Sequence, residues 1–257
     1  MTKLKNKIVL ITGATSGIGE ACARAFAKEG SNLILTGRRG DRLEKLSKEL
    51  QKNHNINCFL LSFDIRDKSK VSEKISSLPE EWQSIDILIN NAGLARGVSK
   101  VFEMTAEDYD EVIDTNVKGL LYITRAVVPG MIKRNKGHVV NLGSIAGHEV
   151  YPGGNVYCAT KHAVDALTKA LRIELVETPI RVSTVDPGLV ETEFSMVRFR
   201  GDKDKAESVY KNLTPLRGDD IADVIIFITS RPAHVQIAEV IVFPTDQASS
   251  SVLHRNS

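Results

Sequence analysis

Lys7-Ile8-Val9-Leu10-Ile11-Thr12-Gly13-Ala14-Thr15-Ser16-Gly17-Ile18-Gly19 carries the pattern that decides the fold. A short apolar run ends in a glycine-rich turn, and helical spacing begins at Gly17 and continues to Glu29. Between a strand and a helix, such a turn lets backbone N–H groups approach a pyrophosphate, and the helix N-terminus adds partial positive charge. The spacing of Gly13, Gly17 and Gly19 is GxxxGxG rather than GxGxxG. Alone it is also compatible with a plain tight turn. Its place at the first βα junction favours a dinucleotide, with Gly13, Thr15, Ser16, Gly17, Ile18 and Gly19 as cofactor residues.

Outward from this unit, apolar runs alternate with amphipathic segments, the mark of βα units. The strands expected are Lys7 to Thr12, Asn32 to Thr36, Asn57 to Ser62, Ile85 to Asn90, Gly137 to Leu142, Ile180 to Val185 and Glu239 to Phe243. Helical spacing covers Gly17 to Glu29, Asp41 to Lys52, Lys68 to Leu78, Ala106 to Met131, Tyr157 to Glu174 and Asp219 to Thr229. The expectation is one α/β domain over 1–257, a doubly wound Rossmann-type fold with a seven-stranded parallel sheet. The polar stretch at about 190–213 is long for a connection and reads as a small substrate lid, or as a surface excursion.

Composition narrows the function. Thirty-four basic against 32 acidic residues, a net charge of +2 over 257 residues, leave no nucleic-acid or membrane footprint. Cys22, Cys58 and Cys158 show no CxxC spacing and the six histidines no metal-ligand interval, so neither disulfides nor a metal is expected. The scattered cysteines fit a reducing cytoplasm; the run Ile8 to Ile11 is too short for a signal-peptide core, and no run approaches a transmembrane length.

The second strand leads to Thr36-Gly37-Arg38-Arg39, where an NAD site would carry an acidic residue. Two guanidiniums there favour the 2′-phosphate of NADP, although two solvated arginines opening a helix would read the same way. Asp64-Ile65 ends the third strand and Asn90-Asn91-Ala92-Gly93 the fourth. Asp64 is suited to the adenine amino group or to capping a turn, and Ala92-Gly93 to close passage beside a ribose.

Ser144 follows the fifth strand, and Tyr157 stands one helical turn before Lys161, so phenol and ammonium share a face. Reduction of a ketone by hydride leaves an alkoxide that needs a proton, a task for a phenol whose anion is stabilised by a cation such as Lys161. Ser144 is placed to hydrogen-bond the carbonyl oxygen. Asn116, inside the long helical segment, is able to interrupt the helix and hold a water against Lys161.

Thr12 to Gly19, Asn90 to Gly93, Asn116, Ser144, Tyr157 to Lys161 and Pro187-Gly188 together resemble the short-chain dehydrogenases/reductases. The resemblance implies a catalytic tetrad of Asn116, Ser144, Tyr157 and Lys161, with Lys161 also on the nicotinamide ribose. It also implies cofactor contact by Asn91, with Pro187, Gly188, Val190 and Thr192 flanking the nicotinamide half. Asp86 to Ala95, Gly153 to Tyr157 and Pro187 to Ser195 further resemble the NADP-dependent 3-hydroxy acid dehydrogenases, as does Val197-Arg198-Phe199-Arg200-Gly201 as a lid. That likeness implies L-serine, 3-hydroxyisobutyrate, 3-hydroxypropionate or malonic semialdehyde as substrates, and a homotetramer.

A 3-hydroxy acid needs a cation for its carboxylate. Arg96, Arg198 and Arg200 are candidates, Arg198 first, so the substrate residues expected are Ser144, Tyr157 and Arg198. The alternatives are a reductase of larger carbonyls such as 3-oxoacyl thioesters, and a non-catalytic NADP(H) sensor. Apolar positions at Leu120, Leu121, Val127 and Val128, and at Ala163, Ala166, Leu167 and Ala170, suggest helix packing between subunits. The polar tail from Thr245 to Ser257 suggests disorder or contact with a neighbouring subunit.

Overall fold

A computed structural model describes residues 3–256; Met1, Thr2 and Ser257 lie outside the described residues. All seven expected strands form: β1 (Ile8–Ile11), β2 (Asn32–Gly37), β3 (Cys58–Ser62), β4 (Ile87–Asn90), β5 (His138–Leu142), β6 (Arg181–Pro187) and, last, β9 (Glu239–Val242). They pair in parallel in the order β3-β2-β1-β4-β5-β6-β9. The order reverses between β1 and β4, which opens a crevice at their carboxyl ends.

The sheet is apolar on both faces because helices cover both. Val9 and Ile11 of β1 face one core with α1 (Gly17–Lys28), α2 (Gly40–His54) and α9 (Gly218–Thr229). Leu10, between them, faces the other, with α3 (Lys68–Ser76), α5 (Leu120–Lys133) and the partly buried Leu171 of α6 (Asn155–Glu174). Alternation along a strand divides its residues between the two layers. A fully buried side chain such as Phe26 of α1 contributes about 1.5–3 kcal/mol.

Two expectations are corrected. The helix expected over Ala106 to Met131 divides into α4 (Ala106–Ile113), a wide π-helical turn over Asp114–Gly119, and α5. Gly119 in that turn packs on Ile65, where a Cβ would stand 2.6 Å from Ile65 Cδ1. Leu120, Val127 and Val128 are buried within their own chain, so of that set only Leu121 is exposed. Ala166 on α6 is exposed.

Between β6 and α9 the chain forms β7 (Val190–Glu191), α7 (Phe194–Arg198), α8 (Lys203–Ser208) and β8 (Leu216–Arg217), with β7 and β8 paired in parallel. This excursion is tied across the crevice: Gly97 N–H donates to Arg198 O at 2.8 Å and Arg96 Nη1 to Val197 O at 2.5 Å. The described tail folds onto its own chain, Leu189 N–H donating to Gln247 Oε1 at 2.7 Å and Asn256 N–H to Asn212 O at 2.8 Å.

Candidate active site

A cavity of about 510 Å³ occupies the crevice. At one end Gly13 (φ +68°) and Gly17 (φ +56°) adopt left-handed conformations that a Cβ would strain. Thr12 Oγ1 accepts the N–H groups of Asn91 and Ala92 at 3.0 Å, and Asn91 Nδ2 donates to Thr12 O at 2.9 Å, which pins the loop to the end of β4. Gly13, Thr15, Ser16, Gly17, Ile18, Asn91, Ala92 and Gly93 all line the cavity. Gly19 does not; a Cβ there would collide with Gly13 O, so its role is to let the loop close on the helix. Ser16 caps α1 without using its hydroxyl, leaving the first-turn N–H groups for an anion.

Arg38, Arg39, Asp64 and Ile65 line the same end. Arg39 donates to Ser16 Oγ at 2.8 Å and Thr15 Oγ1 at 2.9 Å, and pairs with Glu193 Oε2 at 2.7 Å, while Arg42 takes the other oxygen of Glu193 at 2.6 Å. Arg38 has a half-exposed side chain 3.9 Å from Asp64. Asp64 caps its own turn, accepting Arg66 N–H at 3.0 Å, and holds the Arg66 guanidinium at 2.6 Å. Burial raises the Asp64 carboxyl, but these Arg66 hydrogen bonds outweigh it and leave the group below its ordinary range. Left-handed glycines, open helix N–H groups and a guanidinium pair fit a dinucleotide carrying one phosphate more than NAD.

At the other end, Gly143 is pressed against Asp186, which leaves no room for a side chain, and Ser144 N–H donates to Asp186 Oδ1 at 3.1 Å. Tyr157 and Lys161 lie on α6, Lys161 Nζ donating to Leu142 O at 2.7 Å and standing 5.9 Å from the Tyr157 ring centre. Burial pushes the Tyr157 phenol well above its ordinary 10, with the Ser144 hydroxyl and the Arg198 charge pulling it partway back. Lys161 is pushed down to about 8 by burial, against the pull of Asp186. Burial is the largest cause for both groups, moving the phenol and the ammonium in opposite directions.

Ser144, Tyr157, Lys161, Pro187, Gly188, Val190 and Thr192 line the cavity. Asn116 does not: its amide donates to Leu94 O at 2.9 Å and Thr160 Oγ1 at 3.0 Å and accepts Leu94 N–H at 2.8 Å, tying the loop after β4 to α6. Of the candidate arginines, Arg198 alone lines the cavity, 5.9 Å from the Tyr157 ring centre and donating to Tyr151 Oη at 3.2 Å. Arg96 is paired with Glu111 at 2.6 Å and Arg200 with Asp108. Tyr151, Glu193, Phe194, Tyr210 and Gln247 also line it; Glu193 and Phe194 fall within the stretch Pro187 to Ser195, which assigns them no role, and the other three lie outside every motif. Tyr151 comes from the loop before α6, Glu193, Phe194 and Tyr210 from the lid and Gln247 from the tail, all remote in sequence from the glycine loop.

A family model, short chain dehydrogenase, matches residues 7–203, most of the chain and all the strand-end residues described above up to the lid. The chain belongs to the short chain dehydrogenase family. Within that family it is 48% identical over 256 residues, 99% of both chains, to the NADP-dependent 3-hydroxy acid dehydrogenase of Schizosaccharomyces pombe (strain 972 / ATCC 24843). It is 46% identical over 250 residues to the NADP-dependent 3-hydroxy acid dehydrogenase YdfG of Escherichia coli (strain K12), covering 96% of this chain and 99% of that one. Among solved structures of this family, the closed form of serine dehydrogenase complexed with NADP+ superposes with a TM-score of 0.90 at 45% identity, over 97% of this short chain dehydrogenase and 100% of that chain.

Proposed function

We propose that this short chain dehydrogenase is an NADP-dependent oxidoreductase that interconverts small 3-hydroxy acids and their 3-oxo counterparts, with L-serine, 3-hydroxyisobutyrate, 3-hydroxypropionate and malonic semialdehyde in its range. The observation that carries the substrate class is Arg198, a guanidinium in the cleft above the Tyr157 ring and braced by Tyr151 and Gly97 O, 2.8 Å from its Nε. A braced guanidinium suits a carboxylate and orients the rest of the substrate.

Bound NADP(H) supplies or accepts the hydride. Gly13, Thr15, Ser16, Gly17 and Ile18 would hold its pyrophosphate end, Arg38 and Arg39 its 2′-phosphate, and Asn91 to Gly93 with Pro187, Gly188, Val190 and Thr192 the rest. Tyr157 exchanges the proton with the reacting oxygen, Ser144 donates a hydrogen bond to that oxygen, and Lys161 supplies positive charge beside the phenol. Asn116 acts through position, fixing Leu94 and Thr160 around the cleft. The segment at 190–213 closes the cleft as a lid. The reading also makes the protein a cytoplasmic homotetramer with α6 among its contacts.

The test is a panel of L-serine, 3-hydroxyisobutyrate, 3-hydroxypropionate and malonic semialdehyde with NADP(H), beside a 3-oxoacyl thioester and a neutral ketone, in wild type and Arg198→Ala. Turnover of the acids is expected, with KM raised roughly tenfold by the substitution and neutral-ketone kinetics unmoved. A preference for the thioester, or equal effects on acids and ketones, overturns the substrate class. No turnover of any of them overturns the enzyme.

A further inference from the structure

Outside the cleft, three segments far apart in sequence bring a histidine and two carboxylates together. His148 follows the turn after β5, Asp186 lies on β6 and Glu239 opens β9. None of the three lines the cofactor cavity. His148 Nε2 is 3.5 Å from Asp186 Oδ2 and 3.5 Å from Glu239 Oε1, and the ligand atoms of all three lie within 4.8 Å of one another.

Both contacts are longer than about 2.7–2.9 Å, the distance at which an N–H and a carboxylate oxygen meet in a short charge-assisted hydrogen bond. Asp186 is 1% exposed, and both its Oδ2 and His148 Nε2 are buried without a hydrogen-bond partner. A buried polar atom of this kind costs about 1–3 kcal/mol unless something satisfies it, and both orphaned atoms are turned into the same cluster. An ion with bonds of about 2.0–2.2 Å to one imidazole and two carboxylate oxygens in a tetrahedral arrangement sets its ligand atoms roughly 3.3–3.5 Å apart.

We propose that His148, Asp186 and Glu239 form a binding site for one divalent transition-metal ion, zinc being the best match to the donor set. The outer contacts are in place: Asp186 Oδ1 accepts Ser144 N–H at 3.1 Å and Thr184 Oγ1–H at 3.0 Å, so its second oxygen is fixed in orientation toward the cluster. Glu239, with a side chain 30% exposed, gives the ion its approach from solvent and leaves a fourth position to water. One carboxylate thus joins the site to the backbone of Ser144, and an ion there would stiffen that end of the cleft from behind. The expectation of no metal rested on intervals along the chain, and these ligands share no interval.

The experiment uses the full-length protein, stripped with a chelator and titrated with Zn²⁺ against a chromophoric indicator, with metal content measured after gel filtration. Wild type is expected to retain one zinc per chain, and His148→Ala and Glu239→Gln to bind at least tenfold more weakly. Zinc should raise the wild-type melting temperature and leave that of His148→Ala unmoved. Co²⁺ in place of zinc should give wild type the visible absorption of a four-coordinate nitrogen and oxygen site, a readout that needs no variant. Failure of wild type to retain zinc, zinc retained equally by both variants, or a six-coordinate or sulfur-bound cobalt spectrum would each overturn the site.

Discussion

At the glycine-loop end of the cleft, the groups that face a ligand are backbone N–H groups and guanidiniums with one foot in solvent, the Arg38 side chain 54% exposed and that of Arg39 39%. At the Ser144 end they are side chains nearly sealed from water, Ser144 and Lys161 each 8% exposed. The first end pairs charge with charge, Arg39 with Glu193 and Arg38 with Asp64, and the Arg66 hydrogen bonds hold the Asp64 carboxyl below its ordinary range. The second shifts its groups by burial, the phenol upward and the amine down to about 8. On the proposed function the open end selects a ligand and the sealed end moves a proton, and each substitution below asks whether that division holds.

The largest effect belongs to the sealed end. Tyr157→Phe removes the hydroxyl proposed to exchange the proton and keeps the ring that packs on Phe194, whose centre is 5.5 Å away. Turnover should fall by about 10²–10⁴-fold, with NADPH affinity, read by fluorescence titration, within about twofold of wild type. Activity above a tenth of wild type would remove the proton from this end.

Next comes the buried cation. The Lys161 pKa of about 8 in the folded chain lies below its ordinary 10.5, so the unfolded chain binds the proton more tightly. The folded state therefore carries the full penalty below pH 8, of order 3 kcal/mol, and loses it as pH rises from 8 to 10.5. Lys161→Met should be more stable than wild type in urea unfolding at pH 7, and the gap should narrow by pH 10 as catalysis is lost throughout. A gap that does not change with pH would mean that burial is not what sets this end apart.

The smallest effect is at the open end. Arg38→Asp with Arg39→Ile should weaken NADPH binding by more than tenfold, about 1.4 kcal/mol, and spare NADH. Equal loss of both would mean that Arg39 serves only to hold Thr15, Ser16 and Glu193 in place.

The same contrast governs what could be read before folding. The seven strands, the glycine loop and Tyr157 with Lys161 were legible because each is a local pattern: a βα junction, an apolar run, one helical turn. Gly19 and Asn116 were placed in the site by motif, yet the folded chain uses Gly19 to close the loop and Asn116 to join Leu94 to Thr160. Tyr151 and Tyr210 gave no local signal, since nothing in their neighbours along the chain says that they will face the cleft, and Glu193, within the stretch Pro187 to Ser195, gave none of its pairing with Arg39.

By itself, then, the sequence determined the sheet, the position of the cleft and the residue types at its mouth, since hydrophobic period and turn chemistry act over a few neighbouring residues. Tertiary structure alone decided that Arg198, and neither Arg96 nor Arg200, faces Tyr157, that Glu193 closes on Arg39, and that His148 meets Asp186 and Glu239. Those choices depend on which charges find partners once the strands are in register. That competition is settled through space, among groups whose separation along the chain carries no information about it.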